Sequence, residues 1–400
     1  MHALRIAVVT ETYPPEVNGV ARTLGLMVQA LLQRGHDVQL VRPRQRMEHA
    51  EVRSDHFREC LTLGVPIPCY ASLQAGIASV GRLKREWQRW RPDVVQIATE
   101  GPLGWAAERA ARKLGISVAT DFHTNFHAYS HDYGIGGLAG LVERYLRAFH
   151  NRAACTMVPS SQMKCDLEAI GFKRLQVVGR GIDSELFSPA RRSDALRHAW
   201  GCGPETLVVA HVGRLAPEKN LPLFFKAADA MRPRNVDLRI LLVGDGPQAS
   251  ALRKSRPDCV FAGVRTGEDL AAHYASADVF LFPSLTETFG NVTVEAMASG
   301  LAVVAFDYAA ARECIVHMES GLLTPMRDEI RFTTAAVRVA SDPWLRTRLR
   351  TAAREAAEAL SWDRSFDELE RVLFQVADGA NSGNQAHDRR STAMTPENAL

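Results

Sequence analysis

The chain has 400 residues, 46% hydrophobic and 23% charged, with a formal net charge of +3. That length exceeds one ordinary core and points to two domains, while so small a charge argues against a nucleic-acid partner. Seven scattered cysteines, an odd number without close spacing, argue against both a disulfide framework and a zinc site and fit a reducing compartment.

The chain enters an apparent strand at once, Arg5-Ile-Ala-Val-Val-Thr10, with no signal-like stretch before it. No apolar run reaches the length of a membrane span. A cytoplasmic location is therefore expected. The excess of positive charge lies in residues 1–190, and ordinary solvated faces are favoured over a membrane-binding reading of it.

Short apolar runs then alternate with helical patterns. In the first half, strands are expected at 5–10, 38–42, 93–97, 116–120, 155–158 and 175–178. Helices are expected between them at 19–34, 72–90, 101–114, 137–152 and 161–170. The pattern restarts at Thr206-Leu-Val-Val-Ala-His-Val212, with further strands at 237–243, 258–262, 278–282 and 301–305. Helices at 220–231, 246–254, 267–275 and 291–299 separate these. Such alternation implies an α/β protein of two doubly wound parallel sheets, with ligands beyond the carboxyl ends of the strands and in the cleft between the sheets. The break is placed at Ser188-Pro-Ala-Arg-Arg-Ser193, giving domains at 1–188 and 189–361. From 327 to 377 the chain reads as helical, with Trp362 opening a last helix over 362–378 that crosses back to the first domain. The polar stretch 379–400 is expected to be a disordered tail.

Several strand exits carry candidate chemistry. In Pro14-Pro-Glu-Val-Asn-Gly19, the glycine lets backbone approach an anion or sugar. The segment Ser72 to Pro92 is basic and holds Trp87 and Trp90; inward packing of the aromatics is favoured over a membrane-surface helix. Glu100 either faces the cleft or simply starts a helix. His123, His127 and His131 recur at four-residue spacing, yet few acids accompany them, so a substrate contact by His123 is preferred to a metal site. His127 reads as structural or acceptor-side.

Gly213-Arg-Leu-Ala-Pro-Glu-Lys219 puts Arg214 and Lys219 on a loop leading into a helix, which suits a pyrophosphate. Gly244-Asp-Gly-Pro247 lacks the third glycine and partner acid of a dinucleotide loop. Glu287-Thr-Phe-Gly-Asn-Val-Thr-Val-Glu295 places two acids around a glycine turn where a strand gives way to a helix. Glu287 then sits on the loop, Glu295 within the first helical turns, and the backbone N–H groups of Asn291 and Val292 lie between them where a phosphate would bind.

Taken together, the Glu287 to Glu295 motif and the Gly213 to Lys219 loop resemble retaining glycosyltransferases of family four, over roughly residues 4–375. The resemblance implies the GT-B fold, in which two Rossmann-like domains face each other across a cleft. Arg214 and Lys219 would hold the donor diphosphate and Glu295 the ribose. Glu287 and His123 would face the transferring sugar, with Gly19, Asn291 and Val292 offering backbone contacts. No metal and no other cofactor is implied. The segments around Thr10 to Leu24 and Thr286 to Gly300 look most like GDP-mannose-dependent α-mannosyltransferases of bacteria, and also like lipid glycosyltransferases. Expected partners are a nucleotide sugar and a lipid or glycan acceptor, with peripheral contact at an anionic inner-membrane surface. The alternatives are a UDP-sugar-dependent diacylglycerol glycosyltransferase, a GT-B epimerase or phosphorylase, and a non-catalytic nucleotide-sugar binder. The sequence departs from the family pattern at Thr288, where a glycine is frequent, at Ala302, where a proline is, and at Ala309-Ala-Ala-Arg-Glu313, where a glycine pair is.

Overall fold

The computed structural model describes residues 2–16, 18–45, 50–67, 70–123, 139–232 and 237–391. The first lobe contains strands β1 (Arg5–Val9), β2 (Asp37–Pro43), β3 (Phe57–Ile67), β4 (Tyr70–Ile77), β5 (Val94–Ile97), β6 (Ser117–Asp121), β7 (Cys155–Val158) and β8 (Leu175–Val177). They lie in the order β4-β3-β2-β1-β5-β6-β7-β8. The second lobe contains β9 (Leu207–Val212), β10 (Leu238–Val243), β11 (Val260–Gly263), β12 (Val279–Phe282), β13 (Ala302–Phe306) and β14 (Leu322–Thr324). Their order is β11-β10-β9-β12-β13-β14, and every pairing in this sheet is parallel.

Central strands such as Leu207-Val-Val-Ala-His-Val212 are buried along their whole length, as expected for a parallel sheet covered on both faces. Strand order reverses beside β1 in one sheet and beside β9 in the other. Ligands of open α/β sheets settle at such switch points, beyond the carboxyl ends of the strands. The loops after β1 and β5, and after β9 and β12, are therefore the ones to examine.

The first lobe differs from the sequence reading at one edge. Residues 72–77, expected to open a helix, belong to β4, which pairs antiparallel with the unanticipated β3. The helix starts only at Val80, where the Ser79 side chain accepts from Arg82 N. A buried ion pair between Arg42 and Glu59, 2.7 Å apart, ties β2 to β3 and explains how a charged stretch came to be a strand. Trp87 and Trp90 of that helix are buried, and Trp87 Nε1 donates to Gln39 Oε1 at 2.9 Å. The tryptophans thus pack inward, leaving the basic residues outside.

The last helix, Trp362–Ser391, lies against the first sheet. Leu369, Val372 and Leu373 join the core formed by Leu4, by Ile6 and Val8 of β1, and by Leu24, Met27 and Val28 of the helix Gly19–Gln33. Arg34 Nη1 reaches Glu370 Oε2 at 2.7 Å. The helix runs past residue 378, where the sequence reading ended it. Extending an established helix adds one hydrogen bond per residue fixed, which offsets the cost of Gly379 and Gly383.

Two segments connect the lobes, one at residues 178–187 and one at 359–362. The first has already joined the second lobe at Phe187, just ahead of the expected break, because Ile182 and Phe187 are buried in that lobe's core. The two connections touch: Ile182 N donates to Leu360 O at 2.9 Å. At Gly181 an added Cβ would lie 2.3 Å from Trp362 N and 2.5 Å from its Cα. Only glycine permits that approach. Gly181→Ala is expected to lower unfolding free energy by about 1–3 kcal/mol, the usual range for forced overpacking. Urea unfolding checks this, and a variant as stable as its parent would show that the connections are not held together here.

Candidate functional site

In the second lobe the site begins with a backbone arrangement. Gly213, at φ 142, donates its N–H to Val243 O at 2.9 Å, and Leu215 N donates to Asp245 O at 2.9 Å. An added Cβ on Gly244 would lie 2.0 Å from Gly213 O, and one on Gly246 would lie 2.6 Å from Leu215 O. The Gly244-Asp-Gly246 glycines therefore serve to let two loops pack main chain on main chain, which fixes the loop carrying Arg214.

Arg214 Nε donates to Glu218 Oε1 at 3.0 Å, and its Nη2 bonds the same oxygen. Glu218, which the sequence reading passed over, is fully buried. A 3₁₀ turn over Pro217–Lys219, ended by Asn220 in the left-handed region, aims Lys219 across the loop. Its ammonium pairs with Glu287 and stands 5.5 Å from the centre of the Phe282 ring. Ser284 Oγ also donates to Glu287 Oε1, at 2.8 Å. Both expected phosphate cations are thus held in place by carboxylates.

Gly290, at φ 94, turns the chain from that loop into the helix Asn291–Ala298. Among the described residues no side chain caps this helix, so its first-turn N–H groups, those of Asn291 and Val292 among them, are left without an intrahelical partner. Glu295 lies one turn further in and is 5% exposed. Its Oε2 accepts from Tyr274 Oη at 3.0 Å, and its Oε1 pairs with Arg22 of the first lobe. Burial and the nearby Glu295 push the Tyr274 hydroxyl well above its ordinary range, so it remains a donor. The Arg22 guanidinium also rests 5.1 Å over the Phe187 ring. An added Cβ on Gly19 would lie 3.9 Å from Asn291 Nδ2, so the starts of two helices meet across the cleft.

His123 enters from the exit of β6. Its main-chain oxygen accepts from Thr288 Oγ1 at 2.7 Å, joining the lobes a second time. The ring is buried, with Nδ1 3.3 Å from Arg180 Nη2. A guanidinium can only donate. Burial lowers the Arg180 pKa to about 10, which leaves it protonated near neutrality. Nδ1 must then accept, so the neutral ring carries its proton on Nε2. That atom is 3.8 Å from Asp121 Oδ2 and has no hydrogen-bond partner among the described residues. Among them it is a donor without an acceptor.

The structure gathers Gly19, His123, Arg214, Lys219, Glu287, Asn291, Val292 and Glu295 around one cleft. Glu100 is not among those open to it. Its carboxylate is buried 3.3 Å from His150 Nε2, and Tyr145 Oη donates to its main-chain oxygen at 2.6 Å. A carboxylate so deep needs a partner, and His150 supplies one. His127 and His131 lie outside the described residues. Among the described residues no group of three His, Cys, Asp or Glu could hold a metal ion.

Glu11, also passed over by the sequence reading, sits at the β1 exit beneath the helix Pro102–Leu114. Its Oε1 accepts from Leu103 N at 3.1 Å and Gly76 N at 3.3 Å. Burial, opposed by these two bonds and reinforced by Glu100, raises its pKa from 4.5 to about 7. The folded state therefore holds this proton where the unfolded state has lost it, and stability falls as pH rises from about 4.5 to about 7. Glu11→Gln is expected to flatten that decline and to be the more stable protein at pH 8, by at most about 3 kcal/mol. Denaturant titrations at pH 5 and pH 8 measure the difference. An unchanged pH profile in the variant would assign the decline to other groups.

Two family models match the chain: "Glycosyltransferase Family 4" over residues 17–186 and "Glycosyl transferases group 1" over residues 206–342. A GDP-mannose-dependent alpha-mannosyltransferase of Mycobacterium tuberculosis is 32% identical over 92% of this chain and 96% of its own length. The sulfoquinovosyl transferase SQD2 of Arabidopsis thaliana is 31% identical over 78% of this chain and 62% of its own. Among solved structures, the sucrose-phosphate synthase of Thermosynechococcus elongatus superposes with a TM-score of 0.77 at 20% identity, over 94% of this chain and 100% of that one. Two facing Rossmann-like sheets and sequence identity along nearly the whole length lead to one conclusion: the chain belongs to the family 4 glycosyltransferases and is a GT-B glycosyltransferase.

Proposed function

We propose that this glycosyltransferase moves mannose from GDP-mannose to a hydroxyl of a lipid or glycan acceptor, with retention of anomeric configuration. The observation that carries the reading is the convergence of Arg214, Lys219 and an uncapped helix start on the same cleft as Glu287 and His123, whose Nε2 has no partner among the described residues. The relatives named for GDP-mannose support the donor.

In this reading the bond from the anomeric carbon to the phosphate oxygen breaks first, and its electron pair leaves with the diphosphate. Arg214, Lys219 and the N–H groups of Asn291 and Val292 stabilise that growing charge. Glu295 takes the ribose hydroxyls, Glu287 and His123 Nε2–H orient the sugar, and Gly19 lets the first lobe close on the phosphates. The acceptor oxygen then bonds the same face of the anomeric carbon, and its proton passes to the departing phosphate oxygen. Fixed positive charge stands where a divalent ion would otherwise act, so no metal is required.

We further place the enzyme at the cytoplasmic face of the inner membrane. No helix among the described residues is long and apolar enough to cross a membrane. Support for peripheral contact comes from exposed Leu63, Val65 and Ile77 on the β3–β4 edge and Trp105. Flotation with anionic vesicles checks it, and a protein that stays at the bottom of the gradient speaks against it.

Lys219→Ala should reduce turnover on the order of 10²–10³-fold while the thermal transition persists. A chelator should leave the parent's turnover as it was. Normal activity in the variant, or loss of activity on chelation, would overturn the assigned role of the cations.

The likeness to SQD2 keeps a UDP-sugar-dependent diacylglycerol glycosyltransferase as the second reading. Thermal shifts with GDP, UDP and ADP separate the two. GDP at about one hundred times its dissociation constant should add about 2.7 kcal/mol of stability. GDP should also be released from GDP-mannose, and the product should carry an α linkage by NMR. Stabilisation by UDP alone would favour the second reading.

A further inference from the structure

A cavity of about 250 Å³ opens between the lobes beside Glu287. Its first-lobe wall carries six apolar side chains, Phe122, Leu146, Met163, Leu167, Ile170 and Phe172, alongside Glu143, Ser160, Gln162 and Asp166. Most of these six belong to a small separate core. Phe122 and Phe172 hold each other edge to face at 5.8 Å, and the helix Ser161–Ala169 supplies Met163 and Leu167, so the wall is built on fixed elements. From the second lobe, Glu287, Thr288 and Tyr308 close the mouth. One cavity therefore touches both an apolar wall and the acid assigned to the transferring sugar.

Its charged lining is of one sign. Glu143, Asp166 and Glu287 contribute carboxylates, and no Lys or Arg lines it among the described residues. Glu143 is already paired with Arg147 at 2.9 Å, and Glu287 with Lys219. A phosphate or carboxylate placed here would meet carboxylates whose cations, Arg147 and Lys219, are already engaged, and would lose its water against the apolar side chains. Hydrocarbon is instead favoured by losing water on burial against six apolar side chains.

We propose that this cavity binds the uncharged, apolar aglycone of the acceptor and so selects a lipid-like alcohol over a free glycan. The proposal rests on the reading of the cleft as the glycosyl-transfer site. An acceptor whose tail lies among Phe122, Leu167 and Phe172 presents its hydroxyl at the edge formed by Glu287 and Thr288. Specificity then comes from tail hydrophobicity, with the neighbouring carboxylates rejecting anionic tails.

The test uses n-alkyl glycosides of a single sugar, from ethyl to decyl, as acceptors with GDP-mannose, below their aggregation concentrations. kcat/KM is expected to rise by roughly fourfold per added methylene until the cavity is filled. An octyl chain ending in a carboxylate should fall back toward the ethyl value. Ile170→Trp, and independently Met163→Phe, should shrink the octyl-to-ethyl ratio of kcat/KM toward one. That ratio is insensitive to a general loss of folded enzyme. A flat chain-length series in the parent, or an undiminished ratio in both variants, overturns the proposal. Release of GDP from GDP-mannose without acceptor reports the donor site alone. If that release occurs while the series is flat, the cavity assignment fails and the donor reading stands.

Discussion

Every other feature of the cleft depends on three carboxylates that must not be left alone. Glu218, Glu287 and Glu295 are each buried or nearly so, and each is met by one cation: Arg214, Lys219 and Arg22. Burying an unpaired ion costs several kcal/mol, so each pair fixes a loop or a helix that could not otherwise hold its position. Arg214 is held by an acid four residues on, within its own turn. Lys219 is tied to the next strand exit. Arg22 spans the lobes. These three pairs are therefore organised before a ligand arrives. In the proposed reading, a diphosphate entering the cleft would meet cations already held by carboxylates, whose ordering entropy has been lost during folding rather than during binding.

These pairs work because the sheets place them. β9 and β12 are neighbours at the reversal of strand order, so the loops carrying Lys219 and Glu287 leave the sheet side by side. β1 occupies the same position in the first sheet, and the helix after it brings Gly19 and Arg22 to face Asn291 and Glu295. The contact of the two lobes is thus a meeting of two switch points. The paired connections at Gly181 and Trp362 set how those points are aligned.

Much of this was legible in the sequence, for a definite reason. A parallel strand buried on both faces is a short apolar run, and a site at its carboxyl end must follow it directly in the chain. Reading the residues after each run therefore picked out Arg214, Lys219, Glu287 and His123, which the structure brings to one cleft. What escaped was set by contacts between distant residues. The β3–β4 edge carries buried Arg42 and Glu59, which look like surface until they are paired. Arg22 reads as an ordinary helical residue, because its partner lies 273 positions away. Glu218 could have been found, since an acid four residues after an arginine in a turn is a local pattern. Gly244 and Gly246 looked like half of a nucleotide loop, and only the approach of Gly213 and Leu215 reveals their purpose.

The departures from the family pattern follow the same logic. Thr288, where a glycine is frequent, uses its hydroxyl to reach His123 O, so the residue adds a bond between lobes beside Glu287. Ala309 stands where a glycine pair is common, yet it keeps the left-handed conformation at φ 52. An alanine there costs on the order of 1 kcal/mol relative to glycine. The surroundings hold it: Ala310 N donates to Phe289 O at 2.7 Å, and Tyr308 Oη donates to Glu287 O at 3.0 Å. The turn is therefore kept for where it puts Tyr308 and Glu287 rather than for its own stability. Ala309 itself lines the cavity beside them. The side chain that strains the turn is thus also part of the surface proposed to meet the acceptor, so under that proposal the local departure in sequence bears on the choice of substrate.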